Sequence, residues 1–184
     1  MPNEELLSKS QIELAFRRLA ERMREHGEHA EIYVFGGACM VLGYSARGYT
    51  HDVDVHVEAG FRGVEVAARE VAKELNLPSW WLNEQATSYL PRIPDTEAKV
   101  AYEYPNLVVK IASPQHMLAM KLAGSRRADI QDIRVLMEHL GMSSRQDLLD
   151  TWDAIFPGEL LNERAMRVVN SVEGPGWDTE SGLQ

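Results

Sequence analysis

Val34-Phe35-Gly36-Gly37-Ala38-Cys39-Met40, continuing through Arg47-Gly48-Tyr49-Thr50-His51-Asp52-Val53-Asp54-Val55, decides how this chain folds. Glu31 to Phe35 is a short apolar run rich in β-formers and predicts a strand. Gly36-Gly37 breaks it, and Ala38 to Leu42 reads as a short helix stopped near Gly43. His51 to Val57 alternates strictly, which predicts a second strand. Side chains two apart on a strand share a face, so Asp52, Asp54 and His56 point one way and Val53, Val55 and Val57 point into the core. Two neighbouring carboxylates repel unless something neutralises them. A hard divalent cation does this, and Mg²⁺ commonly takes one or two carboxylates plus phosphate oxygens and water. Gly-Gly between a strand and a helix lets backbone N–H groups approach a phosphate. Taken singly, Gly-Gly is an ordinary turn and Asp-x-Asp an ordinary acidic face. In this order they compose a phosphoryl-transfer site, with Asp52 and Asp54 as metal ligands and Gly36 and Gly37 as the phosphate cradle.

Outward from this stretch the pattern is mixed. Ser10-Gln11-Ile12-Glu13 has capping-box spacing, and Ile12, Phe16, Leu19 and Met23 recur at helical intervals up to about Glu25. Val64 to Leu75 is an amphipathic helix with Val64, Ala67, Ala68, Val71 and Leu75 inward. Trp80 to Tyr89 predicts another helix, its aromatic residues at core spacing. Lys99–Tyr104 and Leu107–Ala112 flank Pro105-Asn106 as a hairpin, and Ser113-Pro114 starts a helix. The remainder is helical, with breaks near Gly124-Ser125, Gly141 to Ser144 and Pro157-Gly158. The expected fold is α+β: a small mixed sheet flanked by helices, then a helical C-terminal part. We divide it into a core over residues 1–140, a helical extension over 141–170 and a disordered Gly-, Pro- and acid-rich tail over 171–184.

Composition narrows the function classes. At 184 residues the chain is long enough to bury a core without disulfides, and its single cysteine, Cys39, excludes an internal disulfide framework and any Cys-based zinc site. The net charge of −9 gives no global basic footprint for nonspecific nucleic-acid binding, so a nucleic-acid partner requires a local patch. No apolar run reaches the ~20 residues of a membrane span, and Met-Pro-Asn-Glu-Glu has no signal-peptide character, so we expect a cytoplasmic protein. The 6 histidines show no metal-ligand spacing, and no serine has a His/Asp partner pattern.

The Gly-Gly turn with Asp-Val-Asp-Val resembles the first signature of the DNA polymerase beta-like nucleotidyltransferase superfamily. It is most similar to the small bacterial AbiEii-like nucleotidyltransferases, several of which are toxins of toxin–antitoxin and phage-defence systems. Those proteins carry Arg-x-Ser/Thr-x-Asp-x-Asp; here Arg47 and Thr50 precede the aspartates, with one extra residue between them. A later helical motif, lysine followed by arginine and aspartate, is matched by Met120-Lys121-Leu122-Ala123-Gly124-Ser125-Arg126-Arg127-Ala128-Asp129-Ile130-Gln131-Asp132-Ile133. The resemblance implies that Gly37 and the following amides hold a triphosphate, with Arg47 and Thr50 beside it, and that Asp52 and Asp54 bind Mg²⁺, or Mn²⁺ in its place. It implies that Lys121 contacts nucleotide phosphates and that Asp129 orients that lysine or assists deprotonation. Arg126 or Arg127 would contact phosphate or the acceptor. The residues alone also permit a plainer reading: Ile130, Ile133, Leu136, Met137 and Leu140 form a core stripe whose solvated side holds Asp129 and Asp132, or Asp129 is a cap or an arginine partner.

The chain departs from the superfamily pattern at one point. Many members place a third carboxylate on a later strand; the matching strand here is expected to be Leu107-Val108-Val109-Lys110-Ile111, which offers Lys110, with Glu103 as the nearest alternative. Three functions compete. The first is a Mg²⁺-dependent enzyme moving a nucleotidyl group from an NTP to a hydroxyl of RNA (tRNA by resemblance) or protein. The second is a weak or inactive relative acting as an antitoxin or regulatory module, bound to a cognate toxin or antitoxin protein. The third is a metal-dependent nuclease, for which the Gly-Gly cradle has no use.

Overall fold

Ile32 and Val34 are fully buried on β2 (Ala30–Val34), the strand around which the first part of the chain is organised. The computed structural model describes residues 6–172. The tail expected over 171–184 falls, from residue 173 onward, outside the described residues. Two compact units partition the described residues: one takes residues 6–90 together with 95–113, the other residues 91–94 and 114–172.

The first unit begins with β1 (Leu7–Ser8) and α1 (Lys9–Glu25) and continues through β2, α2 (Gly36–Leu42), β3 (Tyr49–Thr50), β4 (Val53–Ala59) and α3 (Phe61–Glu74). It is completed by β5 (Leu82–Asn83), a 3₁₀ turn over Thr87–Tyr89, β6 (Lys99–Tyr104) and β7 (Leu107–Ile111). Five strands form a mixed sheet in the order β5-β4-β2-β7-β6, while β1 and β3 pair separately. β2 runs antiparallel to β4, with Val34 opposite Val55, and parallel to β7, with Val34 opposite Ile111. Val53, Val55, Val64, Ala67, Ala68 and Val71 are buried, as the alternation and the helical spacing predict, whereas Val57 and Leu75, expected inward, are half-buried near the ends of their elements. The second unit is helical: α4 (Pro114–Gly124), α5 (Asp129–His139), α6 (Arg145–Ile155) and α7 (Glu163–Ser171), with α4 packing against the other three. The α+β class, the Pro105-Asn106 hairpin, the start at Pro114 and the helix breaks are as expected.

Two local expectations are corrected. The first helix is capped by Ser8, not Ser10: the Ser8 hydroxyl accepts from Gln11 N, and the Ser8 backbone N–H donates to Gln11 Oε1. Ser8 wins because its backbone is extended, held there by pairing with Tyr49 on β3. The helix expected over Trp80–Tyr89 does not form. Trp81 is instead drawn into the core, where its indole Nε1 donates to Ala68 O at 3.0 Å and its carbonyl accepts Val53 N at 2.7 Å. Leu82 and Asn83 then pair in parallel with Val53 and Asp54. Helical spacing of aromatics cannot reveal a two-residue edge strand, because its partner lies far away in sequence.

Candidate active site

The site grows from a glycine that has no room for a side chain. Gly36 opens α2 with φ +66°, a left-handed backbone that β-carbon-bearing residues resist. A Cβ placed there would stand 2.5 Å from Asp54 Oδ2, so the backbone turn and the carboxylate are in direct apposition. Phe35, at the capping position, supplies no side-chain acceptor to the first turn of α2, and its own N–H donates to Asp54 O at 3.1 Å. That bond ties the end of β2 to β4 beside the Gly-Gly turn. Gly37 is equally close to its neighbours: a Cβ there would meet Thr50 Oγ1 at 2.5 Å and an Arg47 terminal nitrogen at 3.8 Å. The buried Thr50 in turn donates through Oγ1 to Asp52 O at 3.1 Å, fixing the backbone just before β4.

Asp52 and Asp54 are half-buried while Val53 and Val55 are buried, so the two carboxylates share the partly open face. Asp52 is held by a residue outside the expected set: Asn83 Nδ2 donates to Asp52 Oδ2 at 2.9 Å. Gly36, Gly37, Arg47, Thr50, Asp52 and Asp54 thus come together in one unit, with Asn83 added. The two carboxylates offer hard oxygen donors suited to a divalent cation. Among the described residues no group of three or more His, Cys, Asp or Glu side chains is arranged to hold a metal.

The strand matched to the superfamily's third-carboxylate strand, β7, lies one strand beyond β2 in the sheet order. β4 lies between β2 and β5, and β5 sets Asn83 opposite Asp54. Lys110 is engaged elsewhere, its Nζ donating to Glu58 Oε2 at 2.9 Å and Glu31 Oε2 at 3.0 Å, which raises its pKa. His56 shares the aspartate face but is exposed, with Nδ1 3.2 Å from Glu84 Oε1.

In the second unit, Lys121 lies in the last turn of α4 and is buried, its Nζ 2.8 Å from Asp129 Oδ1 and 2.8 Å from Asp132 Oδ2. Arg126 N–H donates to Asp129 Oδ2 at 3.1 Å, while the Arg126 and Arg127 residues themselves are exposed. Asp129 and Asp132 are therefore not the solvated side of α5; they turn inward onto the lysine. Asp132, 1% exposed, is the third member of this cluster, and its spacing of three from Asp129 was the signal for a shared face.

Against known proteins, the chain matches over residues 14–153 the family model described as "Nucleotidyltransferase of unknown function (DUF6036)". No curated protein and no solved structure matches it.

Proposed function

The chain belongs to this nucleotidyltransferase family, and from that premise we propose that it moves a nucleotidyl group from an NTP to a hydroxyl of RNA or protein, with Asp52 and Asp54 holding Mg²⁺ or Mn²⁺. The observation that carries the reading is the apposition of Gly36 to Asp54, with no space for a Cβ between them. A phosphate chain lying along the Gly-Gly turn is thereby next to the carboxylate pair. In the reaction the acceptor oxygen attacks the α-phosphorus, the bond to the β-phosphate oxygen breaks, pyrophosphate leaves, and the hydroxyl proton passes to solvent or a base. A divalent cation at the two aspartates supplies neutralisation of phosphate charge. The chain's own contribution is positional: Gly36 and Gly37 admit the phosphates closely, and Thr50 and Asn83 hold Asp52 in place.

The likeness to AbiEii-like proteins supports a place in a toxin–antitoxin pair. A second reading, a regulatory module of the same fold, draws on one specific observation: Lys121 is occupied by two aspartates rather than presented to a nucleotide. One experiment separates the two. Purified protein is incubated with Mg²⁺, total RNA, cell extract and each α-labelled NTP, beside an Asp52→Asn/Asp54→Asn variant. Label on an RNA or protein band from the wild type alone is the expected result and identifies the acceptor class. Label transferred equally by the folded double variant sinks the site assignment, and silence with all four nucleotides favours the regulatory module.

A further inference from the structure

We propose that Asn83 is the positioning residue of the carboxylate pair and that, standing neutral beside Asp54, it fixes the site at a single divalent cation; this rests on the metal-dependent reading above. Asn83 has its amide orientation dictated from both ends. Nδ2 lies 2.9 Å from Asp52 Oδ2 and 3.1 Å from Trp80 O, both pure acceptors, while Oδ1 accepts Gln85 N at 3.0 Å. A flipped amide would set Oδ1 against a carboxylate and a carbonyl and its NH₂ against an N–H, so the orientation is unique. An N–H₂ group cannot ligate a cation, and the Oδ1 that would is turned to the Gln85 amide. Asn83 therefore acts through Asp52. Its donor pins one carboxylate oxygen and leaves the negative charge in place for an ion, as outer partners of metal ligands do.

The count follows from the ladder. Asn83 is the residue opposite Asp54 on β5, the edge strand beside β4. Two cations about 3.5–4 Å apart need anionic groups enough to hold both. No third His, Cys, Asp or Glu joins the pair among the described residues, and the position opposite Asp54 on β5 is filled by an amide.

The test is Mn²⁺ alone, titrated into the full chain and followed by electron paramagnetic resonance of free and bound ion, with circular dichroism confirming the fold of each variant. The expected results are one Mn²⁺ per wild-type chain, one bound roughly tenfold or more weakly by Asn83→Ala, and two per chain in Asn83→Asp. A wild-type chain that takes two ions, an Asn83→Ala chain of unchanged affinity, or an Asn83→Asp chain that still takes one overturns the proposal. A merely structural asparagine would lower the melting temperature of Asn83→Ala and leave Mn²⁺ affinity unmoved. The Asp52→Asn/Asp54→Asn variant separates the two levels: binding equal to wild type there, or no binding by the wild type, removes the metal reading itself.

Discussion

Gly36 combines two constraints that ordinarily occur apart, a left-handed backbone and a carboxylate oxygen in the space a methyl would take. Gly36→Ala is expected to cost about 1–2 kcal/mol through the backbone alone, lowering Tm by several degrees. It should also abolish nucleotidyl transfer at temperatures where the variant is fully folded, because Asp54 must move to admit the Cβ. A labelled-NTP assay beside a thermal melt checks this, and activity retained in the folded variant would show that the apposition is incidental. Tyr33 is the other residue with a sharp prediction. Its hydroxyl donates to Asp95 Oδ2 at 2.7 Å, and burial, reinforced by that bond, pushes the phenol well above the ordinary tyrosine range. The unfolded chain ionises near pH 10 while the folded one holds its proton, so the stability Tyr33 contributes is full below pH 10 and is lost as pH rises beyond it. Tyr33→Phe should therefore be about 1 kcal/mol less stable at pH 7, with the gap closing above pH 10 in urea titrations; a gap constant to pH 11 would refute the linkage.

At the scale of elements, the buried Lys121 between α4 and α5 is held by two carboxylates. Lys121→Met leaves Asp129 and Asp132 close together without their cation and should destabilise by about 3–5 kcal/mol. Adding Asp132→Asn should recover part of the loss, since residues in one network are not additive. Urea midpoints of the single and double variants measure it, and simple additivity would mean that the pair is not coupled. The cap of α1 gives a smaller contrast: Ser8→Ala should cost about 1 kcal/mol and Ser10→Ala under about 0.5, read from the same melts. These two elements also show what was legible in the sequence. Periodicity located β2, β4, α1, α3 and the hairpin, since burial repeats locally every two or every three to four residues. The Gly-Gly and Asp-x-Asp pairs were readable because their chemistry depends on neighbours in sequence. Choosing Ser8 over Ser10 required knowing that Ser8 pairs with Tyr49, and finding Asn83 required knowing that Leu82-Asn83 lies beside β4. Strand order is set by contacts distant in sequence, so the residue that completes the site's hydrogen bonding stayed hidden. The inward turn of Asp129 and Asp132 was missed for a related reason: a carboxylate reads as solvated until its buried cation is located.

For the molecule as a whole, charge decides what an acceptor must look like. With 28 acidic and 19 basic side chains the net charge is −9, so a polyanion is repelled except where arginines gather. Arg126, Arg127 and Arg134 are exposed and lie within nine residues of one another, the first two just before α5 and the third on it. An NTP with one divalent cation is a compact dianion and is repelled far less than a polyanion, whereas an RNA acceptor has to use a few contacts of this kind. Each phosphate neutralised on a single strand steepens the dependence of log affinity on log salt by about 0.7. An RNA acceptor engaged by two or three arginines is therefore expected to show a slope near −2, far shallower than for a basic nucleic-acid-binding surface. Random single-stranded RNA should bind no tighter than about 10⁻⁴ M at physiological salt, the weak end of nonspecific binding. Fluorescence anisotropy with random RNA and with whichever RNA is labelled, between 50 and 200 mM salt, makes the comparison. Low-micromolar binding of random RNA with a steep slope would mean that the net charge conceals a continuous basic surface. A labelled protein band with no salt-dependent RNA binding would place the acceptor hydroxyl on a polypeptide, the partner class that an acidic surface without a basic tract admits most readily.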